Sequence, residues 1–184
     1  MKERRLDGAA KWTLIGIPVL FIIGSMMHFL YGWTGNNEFI GFFAPVNESI
    51  WEHIKLIVLP IIAWWCLYCM IGGASGQLDY DKWLTGGLVA LVTGMVTMPL
   101  IFYFYTQAFG VEFLVVDILI VLVNLILGQL LGLHIYRHGK GIPAYIVMII
   151  FAGIVLLMMW WTYNPPRLPI FMDGPTGTYG IYKE

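Results

Sequence analysis

The chain has 184 residues, of which 59% are apolar and 11% are charged, and its mean hydropathy is +0.78. These values exclude an ordinary water-soluble domain, and a formal net charge of −1 gives no reason to expect a nucleic acid as partner. We therefore expect an integral membrane protein whose first partner is the lipid bilayer.

Five apolar stretches are long enough to cross a hydrocarbon layer of roughly 30 Å, which takes about 20 helical residues. They lie near residues 13–33, 50–72, 83–108, 112–136 and 142–163. They predict an all-α fold, a polytopic bundle of five transmembrane helices over residues 1–163. Residues 164–184 are rich in proline and glycine, so we expect a separate tail that folds as a lid on the outer face and carries Asp173.

The basic residues indicate the orientation of the bundle. Those that flank the predicted helices fall mainly on one side of the membrane: Lys2, Arg4, Arg5, Lys11, Lys82, Arg137 and Lys140. Apart from Arg167 and Lys183 in the tail, the other side carries none, and most of the acids lie there instead. By the positive-inside rule, the N-terminus is cytoplasmic and the tail lies outside.

The first predicted helix carries His28 in its outer half, between Trp12 and Trp33 near the two ends. Tryptophan at both ends is typical of the aromatic belts at membrane interfaces. A single histidine in such a helix is either a hydrogen-bonded core residue or a ligand, and both alternatives stay open.

The second helix begins in the most polar segment of the chain, residues 45–55. At about 100° per residue, one stripe of this helix would contain Glu48, Glu52 and Lys55. Ser49 and His53 would form the neighbouring stripe. Ionisable groups at membrane depth are costly unless they are paired or hydrated, so this segment predicts a functional site.

Structural roles compete with function in the same segment. Ser49 and Glu52 match a capping box, and Asn47 could cap the helix instead. Glu52 and Lys55, three residues apart, could form a simple ion pair. Trp51 points away from the polar stripes, and we expect its ring at the level of the lipid headgroups.

The third helix ends with Tyr103 and Tyr105, and Asp117 lies between one and two turns into the fourth. Asp117 has apolar neighbours and lies too far inside the helix to cap it, so its carboxylate must pair, bind a ligand or bind a proton. Asn124 is seven residues further on the same face. Small residues predict close contact of these helices, and they are Gly86, Gly87, Gly94, Gly128 and Gly132.

These groups could converge in one outward-facing pocket. The candidate metal ligands are His28, His53 and one of the carboxylates, with Asp117 as the first choice, and zinc or another divalent ion would suit them. The candidate catalytic groups are Glu48 or Glu52 as general base, assisted by Tyr103 or Tyr105. The other candidate pocket residues are Asn47, Ser49, Lys55, Asn124 and Asp173.

The run Pro45-Val46-Asn47-Glu48-Ser49-x-Trp51-Glu52-His53-x-Lys55, preceded by His28-x-x-Tyr31, resembles the signature of an uncharacterised family of small multi-pass bacterial membrane proteins. Three further features resemble that family, so the likeness spans most of the chain: the aromatic run Tyr103 to Tyr105, Asp117 in Val-Asp-Ile, and the tail from Phe171 to Gly180. It implies a shared fold and a shared polar site only, and no activity. For the location we expect a multi-pass protein of the cell membrane, specifically the bacterial cytoplasmic membrane.

A second similarity links Ser49, His53, Asp117 and the pair His134 and His138 to the zinc residues of the ceramidase and progestin-receptor superfamily of membrane hydrolases. The topology argues against it. His134 and His138 should lie at the cytoplasmic end of the fourth helix and His53 at the outer end of the second, too far apart to share a metal.

The leading hypothesis is a membrane protein whose acidic and histidine-containing pocket binds a cation, a proton or a small cationic solute. The alternatives are a metal-dependent hydrolase embedded in the membrane and an accessory, solute-binding subunit of a transport complex. Five helices make a thin bundle, which favours a homo-oligomer or a partner membrane subunit.

Overall fold

The computed structural model describes residues 7–73 and 78–181. Its helices are α1 (Gly8–Trp33), α2 (Glu38–Gly41), α3 (Ile50–Gly73), α4 (Tyr80–Phe109), α5 (Leu114–His138) and α6 (Ala144–Tyr163), followed by a 3₁₀ turn (Pro169–Phe171). Five of the helices are long and apolar enough to cross a membrane. The described residues include no β-strand, only one bridge between Met172 and Tyr179.

The predicted all-α bundle with five candidate spans is thus confirmed. α1 begins at Gly8 rather than near residue 13, and the other four long helices begin and end within about three residues of the predicted limits. The short helix α2 was not predicted, because four residues are too few to show a period. Four residues used in the charge argument lie outside the described part of the chain: Lys2, Arg4, Arg5 and Lys183.

α3 packs against α1, α4 and α6, and α5 closes a ring of four helices by packing against both α4 and α1. α6 lies outside this ring, on α3 and α4. Most of the large side chains buried in the core come from α3 and α4, among them Ile57, Ile61, Trp65, Trp83 and Leu91. A ring of four helices leaves its central space to be filled by side chains or by a cavity at one end.

At their glycines, α4 and α5 approach so closely that no side chain fits between the two backbones. A Cβ atom on Gly128 would lie 2.7 Å from the carbonyl oxygen of Ala90, and one on Gly86 would lie 2.6 Å from that of Gly132. The predicted role of these glycines is therefore confirmed. Backbone contact of this kind fixes the spacing of two helices that would otherwise slide on apolar side chains.

Asp7 ties the start of α1 to the end of α5. Its carboxylate accepts the Ala10 N–H at 2.7 Å and a hydrogen bond from Arg137 at 2.8 Å. Partial burial raises the pKa of Asp7, but these two contacts outweigh that effect and hold the pKa below its ordinary value of 3.8. We call the end of the bundle that carries residues 45–55 the site end. The Asp7–Arg137 ion pair joins α1 and α5 at the opposite end.

The prediction for Trp51 was wrong. Trp33 is 67% exposed, as a membrane-interface residue should be, but Trp51 is only 7% exposed. The Trp51 ring packs against Trp161 and Phe171, with centroid separations of 4.9 and 4.8 Å. α6 and the tail together cover the face of α3 that we expected to meet lipid headgroups. Helical periodicity alone carries no information about such distant segments.

Candidate functional site

Two histidines face each other because α1 and α3 touch one turn deeper in the bundle. A Cβ atom on Gly24 would lie 2.7 Å from the carbonyl oxygen of Leu56, so the two backbones are nearly in contact there. His28 follows Gly24 by about one turn of α1, and His53 precedes Leu56 by about one turn of α3. The two imidazole centroids are 5.1 Å apart, with an angle of 74° between the ring planes.

Glu48 completes the group from the loop before α3. Its Oε2 lies 3.6 Å from Nε2 of His28 and 3.4 Å from Nε2 of His53. One potential ligand atom from each residue lies within 4.8 Å of the others, close enough to hold a metal ion. We call these three residues the histidine–glutamate cluster. The two histidines are mostly buried, whereas the Glu48 side chain is 51% exposed, so the cluster is open on its carboxylate side.

The position of Glu48 corrects the sequence analysis. We assigned it to one helical stripe with Glu52 and Lys55, which requires residue 48 to be helical. In the structure α3 begins at Ile50, so the Glu48 side chain leaves the loop in another direction and reaches the histidines.

A backbone contact sets the proton position on His53. Nδ1 of His53 lies 2.9 Å from the carbonyl oxygen of Ser49. A carbonyl oxygen can only accept, so Nδ1 must donate, and in the neutral ring Nε2 then carries the lone pair. That lone pair points toward Glu48, whose carboxylate oxygen is also an acceptor. A cation placed between two facing acceptors at 3.4 Å would be bound by both.

The tail holds Glu48 in place through its backbone. Oδ1 of Asp173 accepts the Glu48 N–H at 2.8 Å, and the side-chain amide of Asn47 donates to the carbonyl oxygen of Gly180 at 2.9 Å. Asp173 is 5% exposed, and its other oxygen accepts from Thr176. Asn47 and Asp173, both candidate pocket residues, thus position the loop that carries Glu48.

Glu52 and Lys55 form a buried ion pair, as the structural alternative suggested. The Glu52 Oε2 to Lys55 Nζ distance is 2.6 Å, and the two side chains are 3% and 0% exposed. Glu52 also accepts from the Val46 N–H at 3.1 Å and from Thr162 at 3.2 Å, while Lys55 donates to the Gly41 carbonyl at 2.8 Å. These bonds fasten the loop before α3 to the bundle, and a carboxylate with such partners is poorly placed to act as a base.

Of the two suggested helix caps, Ser49 is the one that caps α3, while Asn47 forms a turn in the loop just before it. The Ser49 hydroxyl accepts the Glu52 N–H at 3.3 Å, and the Asn47 side chain accepts the Ser49 N–H at 3.0 Å. Only half of the capping box forms, because the Glu52 carboxylate turns to Lys55 instead of returning to Ser49. Ser49, a candidate pocket residue, therefore serves the site through its backbone carbonyl.

An open groove of about 590 Å³ lies beside the cluster, at the site end of the four-helix ring. The cluster forms part of its polar lining, together with Tyr103, Gln107, Glu112 and Asp117. The apolar lining comes mostly from α4, α5 and the tail, and it includes Met98, Phe102, Leu114, Ile120, Val121 and Met172. Gln107 was not singled out from the sequence, since a glutamine near a helix end gives no signal by itself.

Asp117 lines this groove but does not belong to the cluster. Its carboxylate accepts a hydrogen bond from the Tyr105 hydroxyl. Among the described residues, the carboxylate within ligand range of both histidines is that of Glu48, so the structure pairs the predicted histidines with a different acid. Tyr103 also lines the groove, whereas Tyr105 is 8% exposed and packs in the core.

Three other polar residues lie apart from the cluster. Asn124 is fully buried and accepts from the Thr97 hydroxyl on α4. His134 and His138 stack with centroids 4.6 Å apart near the end of α5, on the turn that also carries Arg137. His53 lies at the opposite end of the bundle, which agrees with our argument against a shared zinc site.

The model of one protein family, described as a family of unknown function (DUF6512), matches residues 1–181. The match therefore includes the cluster, the buried ion pair and the described part of the tail. No curated protein and no solved structure matches the chain.

Proposed function

This chain belongs to DUF6512, a family of unknown function, and we propose that it is an integral membrane protein whose histidine–glutamate cluster binds a divalent metal ion such as zinc. The facing acceptors carry the proposal: Nε2 of His53 presents its lone pair to the Glu48 carboxylate at 3.4 Å. Two imidazoles and one carboxylate are a common zinc ligand set, in which a fourth position stays open. The Ser49 carbonyl is the outer partner that orients such a histidine.

The proposal narrows a broader hypothesis, an outward-facing pocket for a cation, a proton or a small cationic solute. A proton shared between His53 and Glu48 would also relieve the facing acceptors. A metal ion is favoured because the ligand atom of His28 lies within 4.8 Å of those of Glu48 and His53. A metal ion uses such a third ligand, whereas a proton shared by two groups does not.

We further propose that the site end faces outward and that the N-terminus is cytoplasmic, with a bacterial cytoplasmic membrane as the location. Lys11, Lys82 and Lys140 support this orientation by the positive-inside rule, since each adjoins the end of a long helix that lies away from the cluster. Residues 1–163 would then be the transmembrane domain and residues 164–184 a lid on the outer face. The thin bundle still favours a homo-oligomer or a partner membrane subunit.

A metal-dependent hydrolase is the second candidate, and one observation favours it. Asp117 and Glu112 line the same groove onto which the cluster opens. A metal-bound water there would have carboxylates nearby to accept its proton, with Asp117 as the candidate base and Tyr103 as an assisting group. Glu48 would act as a ligand in this mechanism.

The metal proposal is tested by metal analysis of the purified protein. The protein is stripped with a chelator, reloaded with Zn²⁺, passed through a desalting column and analysed by mass spectrometry. We expect about one zinc per chain in the native protein and near-complete loss in His53→Ala and Glu48→Gln, because each removes one of only three protein ligands. Bound zinc should also fall at acidic pH, since protons compete for the imidazoles.

The matched control is His138→Ala. His138 makes the same contact as His53, with Nδ1 3.1 Å from the carbonyl oxygen four residues earlier, but at the other end of the bundle. It should retain the zinc of the native protein. Native protein without zinc, or His53→Ala with undiminished zinc, would contradict the proposal.

A further inference from the structure

The groove at the cluster has two chemically different parts. Its polar groups come from the ends of the helices: the cluster from α1 and the start of α3, and the carboxylates of Glu112 and Asp117 from the start of α5. Elsewhere it is lined by apolar side chains, of which Met98, Ile120 and Val121 are the deepest along their helices. A small hydrophilic solute would use the polar groups and leave the apolar part facing water, which is unfavourable.

The apolar part extends into the depth of the candidate spans. Ile120 and Val121 lie about one turn further into α5 than Asp117, and Met98 lies about three turns before the end of α4. Leu114, another lining residue, is 72% exposed at the start of α5, so the lining continues to the outer surface of that helix. The groove thus connects a polar end region with the hydrocarbon level of the bundle.

We infer that the groove binds a single-chain amphiphile, whose polar head reaches the metal at the cluster and whose hydrocarbon chain lies along Met98, Ile120 and Val121. This inference rests on the proposed metal site. The open metal position calls for an oxygen ligand on the head. Glu112 and Asp117 are acceptors when ionised and call for a hydrogen-bond donor beside it. A volume of about 590 Å³ is in the range that holds a molecule of this size.

Two hydroxamic acids with the same head and different chains test the inference. Acetohydroxamic acid has a methyl group and decanohydroxamic acid a nine-carbon chain, and both offer an oxygen ligand next to an N–H donor. The protein is loaded with Co²⁺ in lipid nanodiscs of fixed composition, and each probe is titrated while the visible spectrum of bound Co²⁺ is followed. We expect the long probe to bind the native protein at least about tenfold more tightly, since each buried methylene is worth about fourfold.

The long probe also partitions into nanodisc lipid, so variants must separate the groove from the bilayer. Val121→Trp should fill the apolar part and reduce the long-chain preference at least about fivefold, the equivalent of one or two methylenes, with little change for acetohydroxamic acid. Val123→Trp is the matched control, because Val123 is 41% exposed and is not a lining residue. It should keep the native preference.

The outcomes separate the amphiphile inference from the metal proposal on which it rests. If Val121→Trp keeps the native preference, or if the native protein binds both probes equally, the inference is overturned while the metal proposal stands. If the native protein binds no Co²⁺, both fail together. Should Val121→Trp not fold, Val121→Ser replaces it, since losing apolar surface without adding bulk should lower the same preference, and an unchanged preference again overturns the inference.

Discussion

The cluster depends on which ring nitrogen of His53 carries the proton, and Ser49 decides that through its backbone. Helix geometry places the carbonyl of residue 49 beside residue 53, so this contact could have been predicted from the spacing. Which carboxylate joins the two histidines could not have been predicted. Asp117 looked the better ligand because it is intramembrane, whereas Glu48 reaches the histidines only because α3 begins two residues after it.

The buried ion pair gives a stability prediction at the residue level. Lys55→Met should strongly destabilise the protein, by roughly 3–5 kcal/mol, because it leaves the Glu52 carboxylate buried without its partner. The measurement is the midpoint of thermal unfolding in a fixed detergent. Lys82→Met is the matched control, since Lys82 and Asp79 form another i, i+3 pair whose side chains are 43% and 50% exposed.

Exposed pairs contribute little to stability, so the control should unfold near the native temperature. Glu52→Gln combined with Lys55→Met should recover part of the loss, because the buried charge is removed with its partner. Equal midpoints for Lys55→Met and Lys82→Met would show that the Glu52–Lys55 pair does not hold the loop to the bundle.

Between elements, small residues set the distances. The sequence predicted close contact at Gly86, Gly128 and Gly132 from composition alone, and the structure agrees. The sequence could not predict which helix faces meet, because long helices that are apolar on all sides give no amphipathic signal. For this reason Trp51 was wrongly expected at the lipid interface. The contact between α1 and α3 that brings His28 and His53 together could be found only in the structure.

Gly128→Ala should destabilise the α4–α5 interface by about 1–3 kcal/mol, because the added methyl would meet the backbone of Ala90 and the helices must separate. Gly153→Ala on α6 is the matched control, since a Cβ atom there meets nothing within 4 Å. It should be neutral or slightly stabilising, as alanine favours helix over glycine. Thermal unfolding of both variants in one detergent compares them, and a destabilised control with a native-like Gly128→Ala would reverse the interpretation.

For the whole molecule, the orientation of the bundle sets which compartment the site faces. A cysteine at Arg167, an exposed tail position, should react with a membrane-impermeant maleimide in intact cells, whereas one at Lys140 should react only after permeabilisation. Both are made in a background with Cys66→Ala and Cys69→Ala, which removes the two native thiols. Labelling of Lys140→Cys alone in intact cells would invert the proposed topology.

The contact between Gly24 and Leu56 means that the distance between the imidazoles of His28 and His53 depends on the spacing of α1 and α3. Gly24 and Leu56 are not members of the cluster, yet their backbone contact, about one turn deeper in the bundle, sets the spacing of the two helices that carry the rings. Replacing Gly24 with alanine would wedge α1 from α3 and widen the gap between His28 and His53. If the cluster holds a metal ion as proposed, Gly24→Ala would change the distance between two of its candidate ligands without altering any of the three.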